Sequence, residues 1–317
     1  MKKLLLILLI AMLCFAGCEA TESQIQEAIG TEGLQYEKTE DGTGYIVTGY
    51  IGSEKDVIIP ENYNSAPVVR INEVAFRQND TIESISIPSS VTIIGEQAFK
   101  NCKKLTAVKL NEGLKEIGVS AFMGSGVEQL VVPKSVTLID TMAFAKCFNL
   151  RYIKFENEMT EIGDNAFYDS KYFASFQNWS KSGLYINNTL VKMPTDTYPD
   201  KYTHQIGGTT TTRSGVAIIA KDALENNRCL AHVVISEGTT TFRGRFANNC
   251  ERLESITLPS TLEYIGEKFV SKCKEFSTIN YSGTKEQWEK IEKHPEWDID
   301  MKSYVIHCSD GDIEVQK

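Results

Sequence analysis

The sequence lacks the short motifs that mark common catalytic and metal sites. It has four histidines, and none lies in a Gly-x-Ser-x-Gly, His-Glu-x-x-His or Gly-x-x-x-x-Gly-Lys pattern. No Cys-x-x-Cys occurs, and no cysteine has a histidine at zinc-finger spacing. We therefore predict a protein that is not an enzyme and uses no catalytic residue, metal or cofactor. A triad can assemble from distant residues, so a Ser–His contact or a buried acid pair in a pocket would reopen the question.

An excess of positive charge is also missing. The 33 Lys and Arg residues against 42 Asp and Glu residues give a formal net charge of −9. Nucleic-acid binding depends on a clustered basic face, so this balance disfavours nucleic acid as a partner. With 317 residues and 42% hydrophobic composition, the chain is long and apolar enough to form a substantial core.

The chain opens on a segment typical of export signals. Lys2 and Lys3 precede an apolar run over residues 4–15 that is too short to cross a bilayer comfortably. The small residues Ala16 and Gly17 then precede Cys18. This pattern predicts a signal peptide over residues 1–17 and export from the cytoplasm.

The Phe-Ala-Gly-Cys ending of that segment resembles a bacterial lipobox, although Phe15 replaces the usual aliphatic residue. The resemblance implies that Cys18 carries acyl chains and anchors the protein to the bacterial cell envelope, with residues 18–32 as a polar tether. The alternative is an ordinary cleaved signal followed by an unmodified cysteine.

One pattern recurs through the middle of the chain. A phenylalanine preceded by alanine returns every 22 or 23 residues, at Phe76, Phe99, Phe122, Phe144 and Phe167. Such a period predicts a repeat fold in which stacked units share one core. Within a repeat, apolar residues fall at the first, fourth and sixth positions, as in Leu105, Val108 and Leu110. This spacing favours short parallel strands, each entered through a corner, with the apolar side chains pointing inward.

The run Leu-x-x-Ile-x-Ile-Pro, with Val-Thr-x-Ile-Gly and Ala-Phe-x-x-Cys, resembles the BspA-type, or Treponema-type, bacterial leucine-rich repeat. The resemblance implies a right-handed leucine-rich repeat solenoid, irregular or β on its other sides and capped at both ends. It also implies a surface or secreted protein implicated in adhesion. The predicted organisation is an N-terminal cap at 33–59, repeats at 60–167 and 216–281, an insertion or degenerate repeat at 168–215, and a C-terminal cap at 282–317.

Local signals refine the irregular regions. The pair Asn187-Asn188 between two apolar runs predicts a β-hairpin within the 168–215 segment, and Asp310-Gly311 predicts another near the C-terminus. Thr284 and Gln287 form a Thr-x-x-Gln capping box at the start of a predicted helix that carries Trp288.

Four cysteines, Cys102, Cys147, Cys250 and Cys273, occupy the same place in their repeats. Buried cysteine behaves as a small hydrophobe, so we expect a column of free thiols. Cys102 and Cys147 are two repeats apart and too distant for a disulfide, whereas Cys250 and Cys273 are one repeat apart and within reach. Whether the latter two pair stays open, since export permits disulfides.

The candidate binding residues lie at outward positions of the predicted strands. Arg151, Tyr152 and Lys154 fall together in one repeat, and Lys109 belongs to an earlier one. Arginine and tyrosine commonly anchor interfaces. Trp179 follows in the aromatic 168–215 segment, and we include it in the predicted contact surface. Two alternatives stay open: the charged residues form a solvated face, and the aromatic rings pack onto the solenoid.

Together these observations predict a non-catalytic, monomeric, lipid-anchored and surface-exposed protein that presents its repeats to a protein or glycan partner. The alternative is a carbohydrate-binding component of an envelope-associated system that degrades or takes up polysaccharide. In that case the aromatic rings of the 168–215 segment would stack on sugars.

Overall fold

The structure, a computed structural model, describes residues 30–157, 160–180, 182–193 and 208–317. The predicted signal peptide and Cys18 lie outside the described residues. The chain divides into two compact units. The first spans Met1–Asn157 and Ala166–Ser170, and the second spans Glu158–Asn165 and Lys171–Lys317.

The first unit is a β-solenoid built from short strands. Its strands are β1 (Leu34–Lys38), β2 (Tyr45–Tyr50), β3 (Asp56–Ile58), β4 (Asn62–Tyr63), β5 (Ala66–Ile71), β6 (Ser84–Ser86), β7 (Ile93–Ile94), β8 (Ala107–Lys109), β9 (Glu116–Ile117), β10 (Gln129–Val132), β11 (Leu138–Ile139) and β12 (Tyr152–Phe155). One side is the ladder β1-β2-β5-β7-β9-β11, in which β1 and β2 are antiparallel and the later pairs are parallel. A second side carries the separate parallel sheets β3-β6-β8 and β10-β12.

Among residues 30–157, the third side of the first unit has no regular strands, yet its main chain is also joined from repeat to repeat. Gln97 and Asn101 adopt left-handed backbone conformations on either side of Phe99. The main-chain N–H groups of Gln97, Phe99 and Asn101 donate to carbonyls of the next repeat at 3.0, 2.7 and 2.8 Å, in that order. The Ala-Phe turn therefore satisfies its polar groups within the stack while Phe99 points into the core.

The repeated phenylalanines form one stack in the core of the first unit. Successive rings from Phe76 to Phe167 lie 4.8 to 5.5 Å apart and are nearly parallel. All five are at most 2% exposed. The prediction of a shared repeat core is confirmed, because the 22- or 23-residue period places each ring over the last.

The second unit is also a β-solenoid with little helix. Its elements are β13 (Glu161–Ile162), α1 (Lys171–Ala174), a 3-10 turn (Phe176–Asn178), β14 (Trp179–Ser180), β15 (Gly183–Ile186), β16 (Thr189–Lys192), β17 (Gly208–Thr211), β18 (Ile218–Ile219), β19 (Leu224–Glu225), β20 (Leu230–Val234), β21 (Thr241–Phe242), β22 (Ala247–Asn248), β23 (Ser255–Leu258), β24 (Tyr264–Ile265), β25 (Val270–Ser271), β26 (Thr278–Tyr281), α2 (Lys285–Lys290), β27 (Glu292–Lys293), β28 (Tyr304–Cys308) and β29 (Gly311–Val315). Its three sides are β14-β15-β16-β18-β21-β24-β27, β17-β20-β23-β26-β28-β29 and β19-β22-β25.

The local predictions for this unit are confirmed. β15 and β16 form an antiparallel hairpin whose turn holds Asn187 in the left-handed conformation, and β28 and β29 form another at Gly311. At α2 the Thr284 hydroxyl accepts from the Gln287 N–H, and the Gln287 side chain accepts from the Thr284 N–H. The capping roles of the terminal segments and the handedness of the solenoid stay predictions.

Candidate functional site

The predicted contact residues of the first unit lie on one exposed strand face. Lys109 is on β8, Tyr152 and Lys154 are on β12, and Arg151 directly precedes β12. All four are exposed. The intervening strand β10 presents Val131, which lies in register with Lys154. The structure therefore brings Arg151, Tyr152 and Lys154 together, with β10 between them and Lys109.

Acidic neighbours balance much of the positive charge on this face. The Arg151 guanidinium lies 2.9 Å from the Glu128 carboxylate, and the Lys154 ammonium lies 3.2 Å from Glu156. Exposed ion pairs contribute little to stability, but they lower the net charge that a partner meets. Glu128 precedes Arg151 by one repeat, so the repeat spacing was the sequence signal for this pair.

An opening between β8 and β10 is the feature that the sequence analysis missed. These neighbouring strands belong to separate sheets. The space between them is a cavity of about 520 Å³, here named the first-unit cleft, and is lined by Thr106, Ala107, Val108, Lys109, Leu110, Glu128, Gln129 and Val131. A main-chain hydrogen bond from Glu128 to Thr106, of 3.1 Å, closes one end.

A carboxylate bridges the two repeats beyond the other end of the first-unit cleft. Glu112 accepts hydrogen bonds from the main-chain N–H groups of Lys134 and Ser135, at 3.1 and 3.0 Å. Desolvation acts to raise the pKa of the Glu112 carboxyl, but the hydrogen bonds from Lys134 and Ser135 outweigh it and hold the pKa below its ordinary value. The opening is therefore confined to the strand segment between the two closures.

The cleft is bordered by apolar side chains that are more exposed than their counterparts in the preceding repeat. Val108 and Leu110 are half-buried, whereas Ile85 and Ile87, at the same places one repeat earlier, are at most 2% exposed. Val131 and Tyr152 on the outer face are 45% and 51% exposed. The face thus combines apolar contact area with lysines at its margins.

A shortened turn leads into β10, one of the two strands that border the cleft. The first apolar strand position, Val127, comes five positions after Phe122, whereas Leu105 comes six positions after Phe99. The turn that enters β10 contains Gly124, which adopts the left-handed conformation. The shortened turn therefore coincides with the break in the ladder between β8 and β10. This spacing was a signal available in the sequence.

Trp179 is not accessible to a partner. Its ring is 4% exposed, stands edge-on to Phe173 at 5.6 Å, and donates from Nε1 to the Phe173 carbonyl at 2.8 Å. Nearby, burial raises the pKa of the Tyr172 phenol. The packing alternative therefore replaces the prediction of Trp179 as a contact residue, because the indole fills the space beside Phe173 within the second unit.

The strand face of the second unit has a different chemistry. Its outward positions are mostly hydroxyl and amide side chains, aligned in register across β17, β20, β23 and β26: Thr209, His232, Ser255 and Thr278 in one column, and Thr211, Val234, Thr257 and Asn280 in the next. These strands form one unbroken ladder.

This second face contains a Ser–His contact, in which His232 Nδ1 lies 2.9 Å from Ser255 Oγ. Both residues are half-buried on an open ladder. A serine nucleophile needs a base that a third group orients. The neighbours of the pair along its column are Thr209 and Thr278, which carry no negative charge. The contact lies on an open strand face and not in a pocket, so it is not the arrangement that would reopen the enzymatic alternative.

In the described part of the chain, no group of three or more His, Cys, Asp or Glu side chains is arranged to hold a metal ion. No helix within the same residues has the length and apolar character needed to span a membrane.

A family model described as the BspA type leucine rich repeat region matches the chain in six copies, over residues 69–194 and 202–294. The match covers more than half of the sequence and includes the first-unit cleft. A comparison with curated proteins finds no match.

Several solved structures resemble the chain. A leucine rich cell surface protein from Faecalibacterium prausnitzii A2-165 is 21% identical over 83% of this chain and 96% of that chain, with a TM-score of 0.37. The leucine rich repeat protein of T. pallidum is 20% identical over 80% and 85%, with a TM-score of 0.33. The pneumococcal vaccine antigen PcpA is 17% identical over 80% and 81%, with a TM-score of 0.43.

Proposed function

The chain belongs to the BspA-type leucine-rich repeat family, and we propose that it is a non-catalytic surface protein whose first-unit cleft binds a protein partner. Members of this family are generally non-enzymatic binding proteins. The observation that carries the proposal is the opening between β8 and β10, beside the exposed Val131 and Tyr152. Interfaces concentrate their binding energy in a few apolar and aromatic contacts at a desolvated centre.

The chemistry of the cleft favours a protein partner over a glycan. Val108, Leu110 and Val131 supply aliphatic area that suits a partner's apolar side chain. The glycan alternative depended on stacking by the 168–215 segment, and Trp179 is buried there.

The proposal also places the protein on the bacterial surface. We infer that residues 1–17 direct export and that a lipid on Cys18 holds the mature chain at the bacterial surface, where adhesion to a host or matrix protein becomes its role. Labelling with a radioactive fatty acid tests this part. The wild type should incorporate label and Cys18→Ala should not, whereas an unlabelled wild type would reject the anchor.

Binding is tested by titrating the purified protein against a panel of purified matrix proteins and, separately, a glycan array. For a matrix protein that binds, the double variant Val131→Lys/Tyr152→Ala should lose at least about tenfold in affinity, since two central apolar contacts are removed. Thr257→Lys, at an outward position of the second unit, is the matched control and should bind as the wild type does.

Circular dichroism should show the same folded state for all three proteins. Binding that the cleft variant leaves intact would refute the proposed site. Binding to glycans alone would refute the proposed class of partner and support the alternative.

A further inference from the structure

Two cysteines of the second unit lie on adjacent repeats in matching positions. Asn248 of β22 pairs in parallel register with Ser271 of β25, and Cys250 and Cys273 each follow two residues later. Neighbouring strands lie about 4.8 Å apart, within the roughly 4.4–6.8 Å between Cα atoms that a disulfide accepts. The Cys250 main-chain N–H points at the Cys273 sulfur, 3.4 Å away.

The surroundings of the two thiols differ. Cys250 is fully buried and its Sγ donates to the Leu224 carbonyl at 3.4 Å. Cys273 is half-buried and therefore reachable from solvent. A hydrogen bond between the two side chains lowers the pKa of the Cys273 thiol and raises that of Cys250. Cys273 is thus the more reactive of the two, because thiolate is the nucleophilic form.

The cysteines of the first unit provide the contrast. Cys102 and Cys147 are 0% exposed, and the side chain between them in the stack is Ser125, whose hydroxyl lies 3.4 Å from the Cys147 sulfur. Burial raises the pKa of Cys102 to about 12 and that of Cys147 to about 11. These thiols lack both the neighbouring sulfur and the access to solvent that Cys273 has.

We propose that Cys250 and Cys273 are a disulfide site that an external disulfide oxidises and that then links two adjacent repeats. Cys273 releases its proton, and its thiolate attacks one sulfur of the external disulfide, which gives a mixed disulfide and one leaving thiolate. Cys250 releases its proton in turn, attacks the Cys273 sulfur and expels the second thiolate. Two protein thiols are oxidised, one external disulfide is reduced, and the two protons convert the leaving thiolates into thiols.

The bond joins positions 23 residues apart, so it restricts the unfolded chain across one repeat. The register of β22 and β25 already holds the two sulfurs on adjacent repeats, so little rearrangement of the folded state is required. The site lies in the second unit and the first-unit cleft in the first, and the two proposals therefore fail separately.

The experiment uses the purified full chain and oxidised glutathione, an external disulfide. After incubation under native conditions, remaining thiols are alkylated in denaturant and peptides are mapped by mass spectrometry. We expect a Cys250–Cys273 peptide that lacks two hydrogens and that dithiothreitol separates, with Cys102 and Cys147 alkylated. The melting temperature of the oxidised chain should exceed that of the reduced chain by roughly 5–10 °C.

The variant Cys273→Ser is the control and should show neither the linked peptide nor a rise in melting temperature on oxidation. Glutathione retained on Cys273 with Cys250 still free would overturn the proposal. So would unreacted thiols at both positions, or a bond from either to another cysteine.

Discussion

The two units of this protein use the same repeat to build different cores. In the first, phenylalanines from consecutive repeats lie nearly parallel, as Phe99 and Phe122 do at 4.8 Å. In the second, Phe242 enters the core from β21 and stands edge-on to both Phe246 and Phe269. Those two rings are 5.8 Å apart and tilted by 23°. One added ring therefore changes the stack without disturbing the ladder, since Phe242 still pairs with Ile219 and Ile265.

The exposed strand faces of the two units differ as well. In the second unit the strands β17, β20, β23 and β26 form a continuous ladder with hydroxyl-rich outward columns. In the first, β8 and β10 belong to separate sheets, and Val108 and Leu110 on the border of the opening are half-buried. The two units therefore differ both in how their phenylalanines pack and in what their strand faces present to solvent.

The largest effect should come from the phenylalanine stack. Phe122→Ala removes a ring that packs against both Phe99 and Phe144, and we expect it to lower the free energy of unfolding by about 3–5 kcal/mol. Urea denaturation followed by circular dichroism measures this. Phe122→Leu, which keeps most of the volume, should lose markedly less. Equal losses for the two variants would show that the space left by the missing ring does not determine the loss of stability.

The next largest effect should come from removing a partly buried ion pair of the second unit, compared with an exposed pair of the first. Arg245 donates from two nitrogens to both Asp222 oxygens, at 2.5 and 3.0 Å, and both side chains are less than a third exposed. The hydrogen bond to Asp222 raises the pKa of Arg245. Arg245→Met should lower the free energy of unfolding by about 1.5–3 kcal/mol.

Arg151→Met is the matched variant in the first unit and should change the free energy of unfolding by at most about 1 kcal/mol, because the Arg151–Glu128 pair is exposed. Urea denaturation of both variants makes the comparison. A larger loss of stability for Arg151→Met than for Arg245→Met would show that burial does not determine how much each ion pair stabilises the protein.

A smaller effect, of opposite sign, is expected at Val74. This β-branched residue has a φ of 53° and is half-exposed, so its left-handed backbone is unfavourable. Asparagine tolerates this conformation and occupies it at Asn101 and Asn249. Val74→Asn should raise the free energy of unfolding by roughly 0.5–1 kcal/mol. Met142→Asn, at an unbranched residue in the same backbone conformation, should stabilise the protein less. A Val74→Asn variant that is less stable than the wild type would refute the proposed strain.

The smallest expected effect is a loss of stability at acidic pH. Hydrogen bonds from Thr39 and Thr43 lower the pKa of Asp41 to about 2. At Glu61, desolvation acts to raise the pKa, but hydrogen bonds from Ser89 and Ser90 outweigh it and lower the pKa. Because the folded pKa lies below the unfolded one, the stabilisation is present above the unfolded pKa and is lost as the pH falls through the folded pKa.

The free energy of unfolding should therefore decline below about pH 4.3, the ordinary pKa of glutamic acid. Denaturation across a pH series should show a shallower decline for Glu61→Gln than for the wild type. An identical pH profile would show that the Glu61 contacts with the next repeat do not contribute.

Much of the fold was predictable because its signals are local or periodic. The phenylalanine spacing, the Asn187-Asn188 turn and the Thr284 capping box each depend on residues close in sequence or on a constant repeat length. The contact surface was predictable only in part. Arg151, Tyr152 and Lys154 are exposed as expected, but Val131 completes their face and Glu128 neutralises Arg151.

Trp179 shows why the remainder was not predictable. An aromatic residue in an irregular segment suits both a binding surface and a core, and its sequence neighbours do not distinguish them. The choice depends on whether another element covers the ring, and here Phe173 does so.

By itself the sequence determined the repeat length, the inward residues and the matched positions of Cys250 and Cys273, because a constant period converts sequence spacing directly into stacking. Only the tertiary structure decided that Trp179 is buried and that β8 and β10 form no common ladder, although the repeat spacing already brought Arg151 beside Glu128. Each of these outcomes depends on main-chain register and packing between repeats, and a difference of one residue or one neighbouring side chain changes them.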